Sequence, residues 1–514
     1  MLPADFRRDA QVEVSMTEDS YRRLRGLMGA SAVLSIALLA GRLSGLWREI
    51  ELAAAFGLTL EADLAVLLLT LPDLMVNLLL SGGLGAALVP RFRALEPTQS
   101  ALLLRRAMAV CFVTFATIAL VVGFWPKGVL GLLAPGIGAP SLASLPSLAI
   151  LAVAAAIPLT ALAGVSSAWL NAKQKYLVAG IGTLIFNLCV LAFLWISGPA
   201  LAALGAGIVA GAALRLASQL GAMPGSAWRS GPTQPLPDDQ LLRDFFAATL
   251  SASLMLLVPV FVRALASTLG GGSIAAFNYA LKLVELPVAI LLGSIATVAL
   301  TTLSEQMSIG NLAEAQAAAQ RHIQRGVLLA VAVVGIGAGF ATPLVHLVLA
   351  RGAMDAEALD TVASLLRIAL LGTPALAVSG IAVAWLNAAR RPAVVLRWSG
   401  LCLTLLPLLA VPGLLTNSGP LLMGAMVAFQ VLLAALLMRA AKMSTFGSQG
   451  WLSRRLVGCV ALSLGIVAAF VMIDTFLAMR SDALRAALAL SGFAVAVFLT
   501  LRLSRAAPDP IQHS

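Results

Sequence analysis

The chain has 514 residues, of which 60% are apolar and only 11% charged, and its mean hydropathy is +0.97. A soluble domain is about 45–50% apolar and about 25% charged, so a soluble enzyme is excluded, with or without a single membrane anchor. The formal net charge of +11 does not require nucleic acid, because Lys and Arg accumulate on the cytoplasmic loops of membrane proteins.

Residues 1–27 are polar with mixed charge and no apolar core, which reads as a cytoplasmic tail and not as a cleaved signal peptide. Apolar blocks of the length that crosses about 30 Å of hydrocarbon then follow at 28–47, 60–88, 105–125, 145–170, 177–197 and 199–220. Residues 221–240 are rich in Pro, Gly and Ser and read as a cytoplasmic linker. Six further blocks lie at 241–268, 273–303, 324–349, 358–388, 394–415 and 418–441, and two more at 456–478 and 483–502. The expected fold is all-α and polytopic, with fourteen transmembrane helices and both termini in the cytoplasm. With that topology 24 of the 34 Lys and Arg fall on the inner side and 5 on the outer side, as the positive-inside rule requires.

The first twelve segments contain a duplication. Ala168-Trp169-Leu170-Asn171-Ala172 recurs as Ala384-Trp385-Leu386-Asn387-Ala388, 216 residues later, and Leu133-Ala134-Pro135-Gly136 falls on Leu349-Ala350-Arg351-Gly352 at the same offset. At 215, Leu71-Pro72 matches Leu286-Pro287, Arg48 falls on Arg263, and Asp63 falls on Asn278. Six helices per repeat is an even number, so both halves enter the membrane in the same sense. Residues 28–220 and 241–441 are therefore expected to be parallel repeats about an axis along the membrane normal, with a substrate path between them. Residues 442–514 supply two extra helices and a cytoplasmic tail.

Four cysteines lie singly in apolar blocks and three histidines are scattered, so no metal site, disulfide framework or cofactor is expected. Gly335-Ile336-Gly337-Ala338-Gly339 lies in an apolar block with no strand before it, and reads as a packing surface. Gly41 and Gly45 form a GxxxG pair suited to close helix contact. No motif for ATP hydrolysis or acyl transfer is present.

Ionisable residues at membrane depth are costly and mark cavities or functional paths. The first helix carries Arg42, with Arg48 at its outer end, and the second carries Asp63 and Asp73. The second half has Arg263, Lys282 and Glu285, the last two spaced to pair on one helix face. Arg215 and Arg367 read as interfacial or structural. Arg48 and Arg263 also admit a second reading, in which they snorkel to the outer interface. A cavity holding Arg42, Arg48, Arg263 and Lys282, with only Asp63 and Glu285 beside them, is cationic and suits a phosphate-bearing substrate.

The run Gly41-Arg42-Leu43-Ser44-Gly45-Leu46-Trp47-Arg48-Glu49, followed by Phe56-Gly57, Ala62-Asp63, Leu71-Pro72 and Gly82, resembles the N-terminal signature of the MurJ/MviN lipid II flippases of the multidrug/oligosaccharidyl-lipid/polysaccharide exporter superfamily. Ala134-Pro135-Gly136, Leu170-Asn171, Asn187, the stretch from Ala280 to Pro287, and Arg351-Gly352-Ala353 are similar to further landmarks of that family. The resemblance covers about residues 28–440. It implies fourteen helices and translocation of a polyprenyl-pyrophosphate-linked peptidoglycan precursor, lipid II, from the inner to the outer leaflet of the bacterial plasma membrane. The headgroup passes through a central cationic cavity by alternating access. Arg42, Arg48 and Asp63 match positions the family needs, and Lys282 stands where it usually has arginine. A further family arginine falls at Val76 or Asn77 and a glutamate at Ser81, so both of those charges are missing here. These departures keep a second reading open, a flippase for another lipid-linked oligosaccharide such as an exopolysaccharide unit. A third is a non-transporting scaffold for envelope-synthesis proteins. Transport is preferred, because buried charges cost a scaffold stability without a return. The expected partners are a lipid-linked oligosaccharide, membrane lipids and envelope-synthesis proteins, not nucleic acid.

Overall fold

A computed structural model describes residues 18–80, 83–228 and 257–442, with the isolated positions 472 and 491. The predicted helices at 456–478 and 483–502, residues 1–17 and 229–256, and the tail beyond 491 lie outside the described residues. All regular structure among the described residues is helical.

The first half opens with α1 (Glu18–Phe56), α2 (Leu60–Leu80), α3 (Gly83–Ala94) and α4 (Pro97–Phe124). Two short helices follow, α5 (Pro126–Leu133) and α6 (Ala139–Ala143), then α7 (Ser147–Ala172), α8 (Tyr176–Ser197) and α9 (Leu201–Gly221). The second half has α10 (Leu257–Leu269), α11 (Ser273–Ser308), α12 (Leu312–Gly339), α13 (Ala341–Leu349), α14 (Ala356–Leu370), α15 (Thr373–Ala388), α16 (Pro392–Leu415) and α17 (Gly419–Ala440). Eight described helices are each long and apolar enough to cross a membrane, and α14 with α15, bent by 42° at their junction, adds a ninth.

The breaks refine the predicted spans. The block predicted at 358–388 bends between α14 and α15, and the one at 324–349 divides into α12 and α13. The second block runs on through α3 to Ala94, and the third starts at Pro97, whose missing N–H costs nothing in the first turn. Pro72 and Pro287 sit inside α2 and α11; neighbouring helices re-satisfy the backbone that proline frees at membrane depth.

In the first half α7 packs on α2, α4 and α9, and α8 packs on α1 and α9. In the second, α15 packs on α11, α12 and α17, and α16 on α17, so the order of partners recurs. Small residues set these distances. A Cβ on Gly205 of α9 would lie 2.7 Å from the Ala149 Cα of α7, and one on Gly207 would lie 2.9 Å from the Val190 Cα of α8. In lipid, where helices gain little from burying apolar surface, such close backbone approach supplies the packing.

Candidate functional site

On α1, Leu38, Gly41, Arg42, Gly45 and Arg48 recur at helical spacing and share one face. That face, with Asp73 of α2, Gly180, Thr183 and Asn187 of α8, and Lys282, Glu285 and Leu286 of α11, encloses a cavity of about 310 Å³. Both halves line it. The predicted glycine contact is present: a Cβ on Gly41 would lie 3.2 Å from the Thr183 Cβ, so α1 and α8 meet almost backbone to backbone.

Arg48 is only 2% exposed and does not snorkel to an interface. Its Nη2 donates to Asp73 Oδ2 and to Glu49 Oε1, each at 2.7 Å. Its Nη1 donates to Asn187 Oδ1 at 3.1 Å and Asp73 Oδ1 at 3.2 Å. Asn187 in turn donates to Ser44 Oγ at 3.0 Å. The chain of bonds then crosses to the second half. Glu49 Oε2 accepts from Asn278 Nδ2 at 2.7 Å, and Asn278 Oδ1 accepts from Arg263 Nη1 at 2.7 Å. Arg263 also donates to the Pro259 carbonyl at 3.3 Å. A guanidinium with all but its Nε–H engaged is a strut between helices in this conformation.

Arg48→Ala is therefore expected to strand Glu49 and Asp73 and to lower stability by about 3–5 kcal/mol. Thermal unfolding of the purified variant checks this, and adding Glu49→Gln with Asp73→Asn should recover part of the loss. No recovery would mean the carboxylates do not depend on Arg48.

Lys282 Nζ meets Glu285 Oε2 at 3.0 Å, one turn away on α11. Arg42 makes no hydrogen bond or close ion pair among the described residues, its charge acts on Glu285 across the cavity, and it projects, exposed, into that space. The lining thus holds Arg42, Arg48 and Lys282 against Asp73 and Glu285. The expected excess of cations shrinks to one unpaired guanidinium.

Asp63 and Arg263 stand outside this lining. Asp63, 1% exposed, accepts from the backbone N–H groups of Gly272 and Ala275, both at 2.8 Å. Helix α11 begins after Gly272, which has no side chain to cap it, and its first N–H groups need an acceptor. The first half supplies one to the second.

Around Asp63 the halves close on each other twice over. Ala353 N–H donates to the Ala54 carbonyl at 2.8 Å, and Gly136 N–H donates to Ser267 Oγ at 2.8 Å. A Cβ on Gly352 would fall on the Ala54 carbonyl, and one on Gly136 on the Ser267 carbonyl. Gly136 and Gly352 are the glycines matched at the 216-residue offset, so each half lays the same loop on the helix end of the other. From this closed end the cavity lining begins at Arg48, about 12 Å along α1, and extends to Leu38, about 27 Å away. Val76, Asn77 and Ser81 fall outside the side chains that the structure describes.

Sequence reasoning missed Glu49, Asn187 and Asn278 as site residues and gave Asp73 no role. One signal was present: a carboxylate directly after Arg48 inside an apolar block is a natural internal partner.

The family model for the lipid II flippase MurJ matches residues 52–481. A protein of Rhizobium meliloti (strain 1021), described as a probable lipid II flippase MurJ, is 25% identical over 359 residues, covering 67% of each chain. Among solved structures, a lipid II flippase MurJ in an inward closed conformation superposes with a TM-score of 0.76 at 16% identity, over 92% of this chain and 99% of that one. An inward-facing multidrug resistance MATE family transporter of the MOP superfamily gives 0.67 at 16% identity, over 80% of this chain and 97% of that one. At such identities the structural likeness establishes a common fold.

Proposed function

We propose that this chain, which belongs to the MurJ family of lipid II flippases, moves a polyprenyl-pyrophosphate-linked peptidoglycan precursor from the inner to the outer leaflet of the bacterial plasma membrane. It is a multi-pass membrane transporter and not an enzyme. The observation that carries the substrate reading is Arg42, an unpaired guanidinium in a cavity lined by both halves, with the halves sealed at one end. An arginine at membrane depth without an ion-paired carboxylate is costly, and a pyrophosphate is the partner whose oxygens match the planar fork.

In this reading the closed end faces outward, the termini lie in the cytoplasm, and the halves relate by rotation about the membrane normal. The headgroup enters from the inner side and Arg42 takes a phosphate oxygen. Lys282 adds a second donor when its bond to Glu285 opens. The lipid tail stays in the bilayer. Release requires the Gly136 and Gly352 contacts to part and the inner side to close.

Growth of a flippase-depleted bacterium carrying this chain tests the reading. Rescue supports lipid II; failure of a well-expressed chain points to the second substrate class, another lipid-linked oligosaccharide. Lys282 in place of arginine is the described residue that favours this alternative. Lys282→Arg should rescue at least as well as the parent, since it adds a planar donor without changing charge. A loss of rescue would show that the lysine is specifically required.

A further inference from the structure

Away from the central cavity, the first half buries a second guanidinium for which the transport reading has no use. Arg215 lies on α9, six residues or about 9 Å from its end, and is 1% exposed. It is not at an interface. It makes no ion pair among the described residues, and its Nε and Nη1 have no hydrogen-bond partner. Gln219, one turn on and 0% exposed, donates from Nε2 to Ser167 Oγ of α7 at 2.8 Å, while its Oε1 is without a partner. A Cβ on Gly182 of α8 would lie 3.0 Å from both Arg215 Nε and Gln219 Nε2. Those two nitrogens are therefore no more than about 6 Å apart.

Packing does not demand this cluster. Counted from the helix starts, Arg215 and Gln219 correspond to Leu433 and Leu437 on α17; counted at the 216-residue offset they correspond to Val431 and Ala435. Ser167 corresponds to Val383. The second half builds the same helix contacts from apolar side chains. Arg215 stays protonated in any surroundings, and a bridging water satisfies hydrogen bonds without neutralising the charge.

We propose that Arg215, with Gln219 and Ser167, forms a binding site for a small monovalent anion of the halide class, held within the first half between α7, α8 and α9. The Nε–H of Arg215 points at the anion. Gln219 Nε2 gives one N–H to the Ser167 hydroxyl and turns the other to the anion. The unpartnered Nε–H is then satisfied, and the site is electrically neutral. The burial of all three side chains, each 1% exposed or less, excludes a lipid phosphate. This site is separate from the headgroup cavity, and its existence does not depend on the transported lipid.

The test is the unfolding temperature of the purified protein, titrated with chloride against gluconate at constant ionic strength. A bound anion stabilises the folded state by mass action, so the midpoint should rise saturably with chloride or bromide. Arg215→Leu should abolish the dependence and, in gluconate, unfold no lower than the parent, because the uncompensated charge is gone. Gln219→Leu should raise the half-saturating chloride concentration about tenfold, the loss of one hydrogen bond to a charged group. Arg42→Ala should keep the full chloride response, which separates this site from the other unpaired cation. A parent protein indifferent to chloride, or an Arg215→Leu protein that still responds, overturns the proposal. If Arg215→Leu fails to fold, the parent titration and Gln219→Leu decide.

Discussion

Arg42→Ala is expected to abolish rescue of a flippase-depleted strain while leaving membrane insertion and the unfolding temperature unchanged or improved. Removing Arg42 strands no group, since Glu285, whose charge it faces, keeps its bond to Lys282, in contrast to Arg48. At membrane depth the arginine itself carries a cost of a few kcal/mol on translocon scales. What its removal deletes is a charge-assisted contact to phosphate worth about 1.5–3 kcal/mol, or about 10–100-fold in headgroup affinity. Arg42→Lys should retain part of the activity, since it keeps the charge and loses the fork. Expression measured by blot and unfolding in detergent separate this outcome from simple misfolding. A well-expressed Arg42→Ala protein that rescues as well as the parent would make the arginine structural.

The second large effect is expected at the closed end. Gly352 has a φ of +60°, which costs a residue with a Cβ about 1–2 kcal/mol. That Cβ would also press on the Ala54 carbonyl across the interface, and overpacking of this kind costs about 1–3 kcal/mol. Together these are about 2–5 kcal/mol against the closed state, a change of about 30-fold or more in its population ratio. Gly352→Ala should therefore favour the open outer side and slow transport severely. The readout is a cysteine placed at Ser267 in the partner contact, reacting with a membrane-impermeant thiol reagent added from outside. Labelling should be slow in the parent and fast with Gly352→Ala. Gly424→Ala is the control, because a Cβ there meets nothing within 4 Å; equal labelling in all three proteins would remove the latch from the account.

The helices were legible in the sequence because hydrocarbon leaves the backbone few alternatives, and apolar blocks separated by charge or Pro/Gly mark each crossing. Their ends were less legible, and α1 shows why. Its apolar block pauses at Arg48 and Glu49, which reads as an exit from the membrane. The helix instead continues to Phe56, since Arg48 pairs with both Glu49 and Asp73 inside the bundle.

The ionisable residues themselves were evident, but not their pairing. Asp73, Asn187 and Asn278 come from three helices and reach Arg48 and Glu49 only through tertiary packing. Asp63 shows the same dependence on tertiary packing. Sequence places this carboxylate near a membrane helix end beside the expected cavity, and in the structure its two oxygens cap a helix of the other half. The uncapped Gly271-Gly272 start of α11 was the sign that an acceptor had to come from elsewhere. Arg215 reads as interfacial or structural because linear sequence does not tell a lipid-facing position from one enclosed by three helices.

The central claim is that the cavity between the halves passes a pyrophosphate-linked precursor to the outer leaflet, with Arg42 as its phosphate contact. The most direct measurement is leaflet accessibility in cells that have this chain as their sole flippase, using an enzyme that cleaves the lipid-linked precursor only from the outer face. The account predicts that the precursor is cleaved in cells with the parent chain and stays intact with Arg42→Ala at equal expression. A precursor that remains protected in cells with the well-expressed parent, or that is cleaved equally with Arg42→Ala, would contradict it.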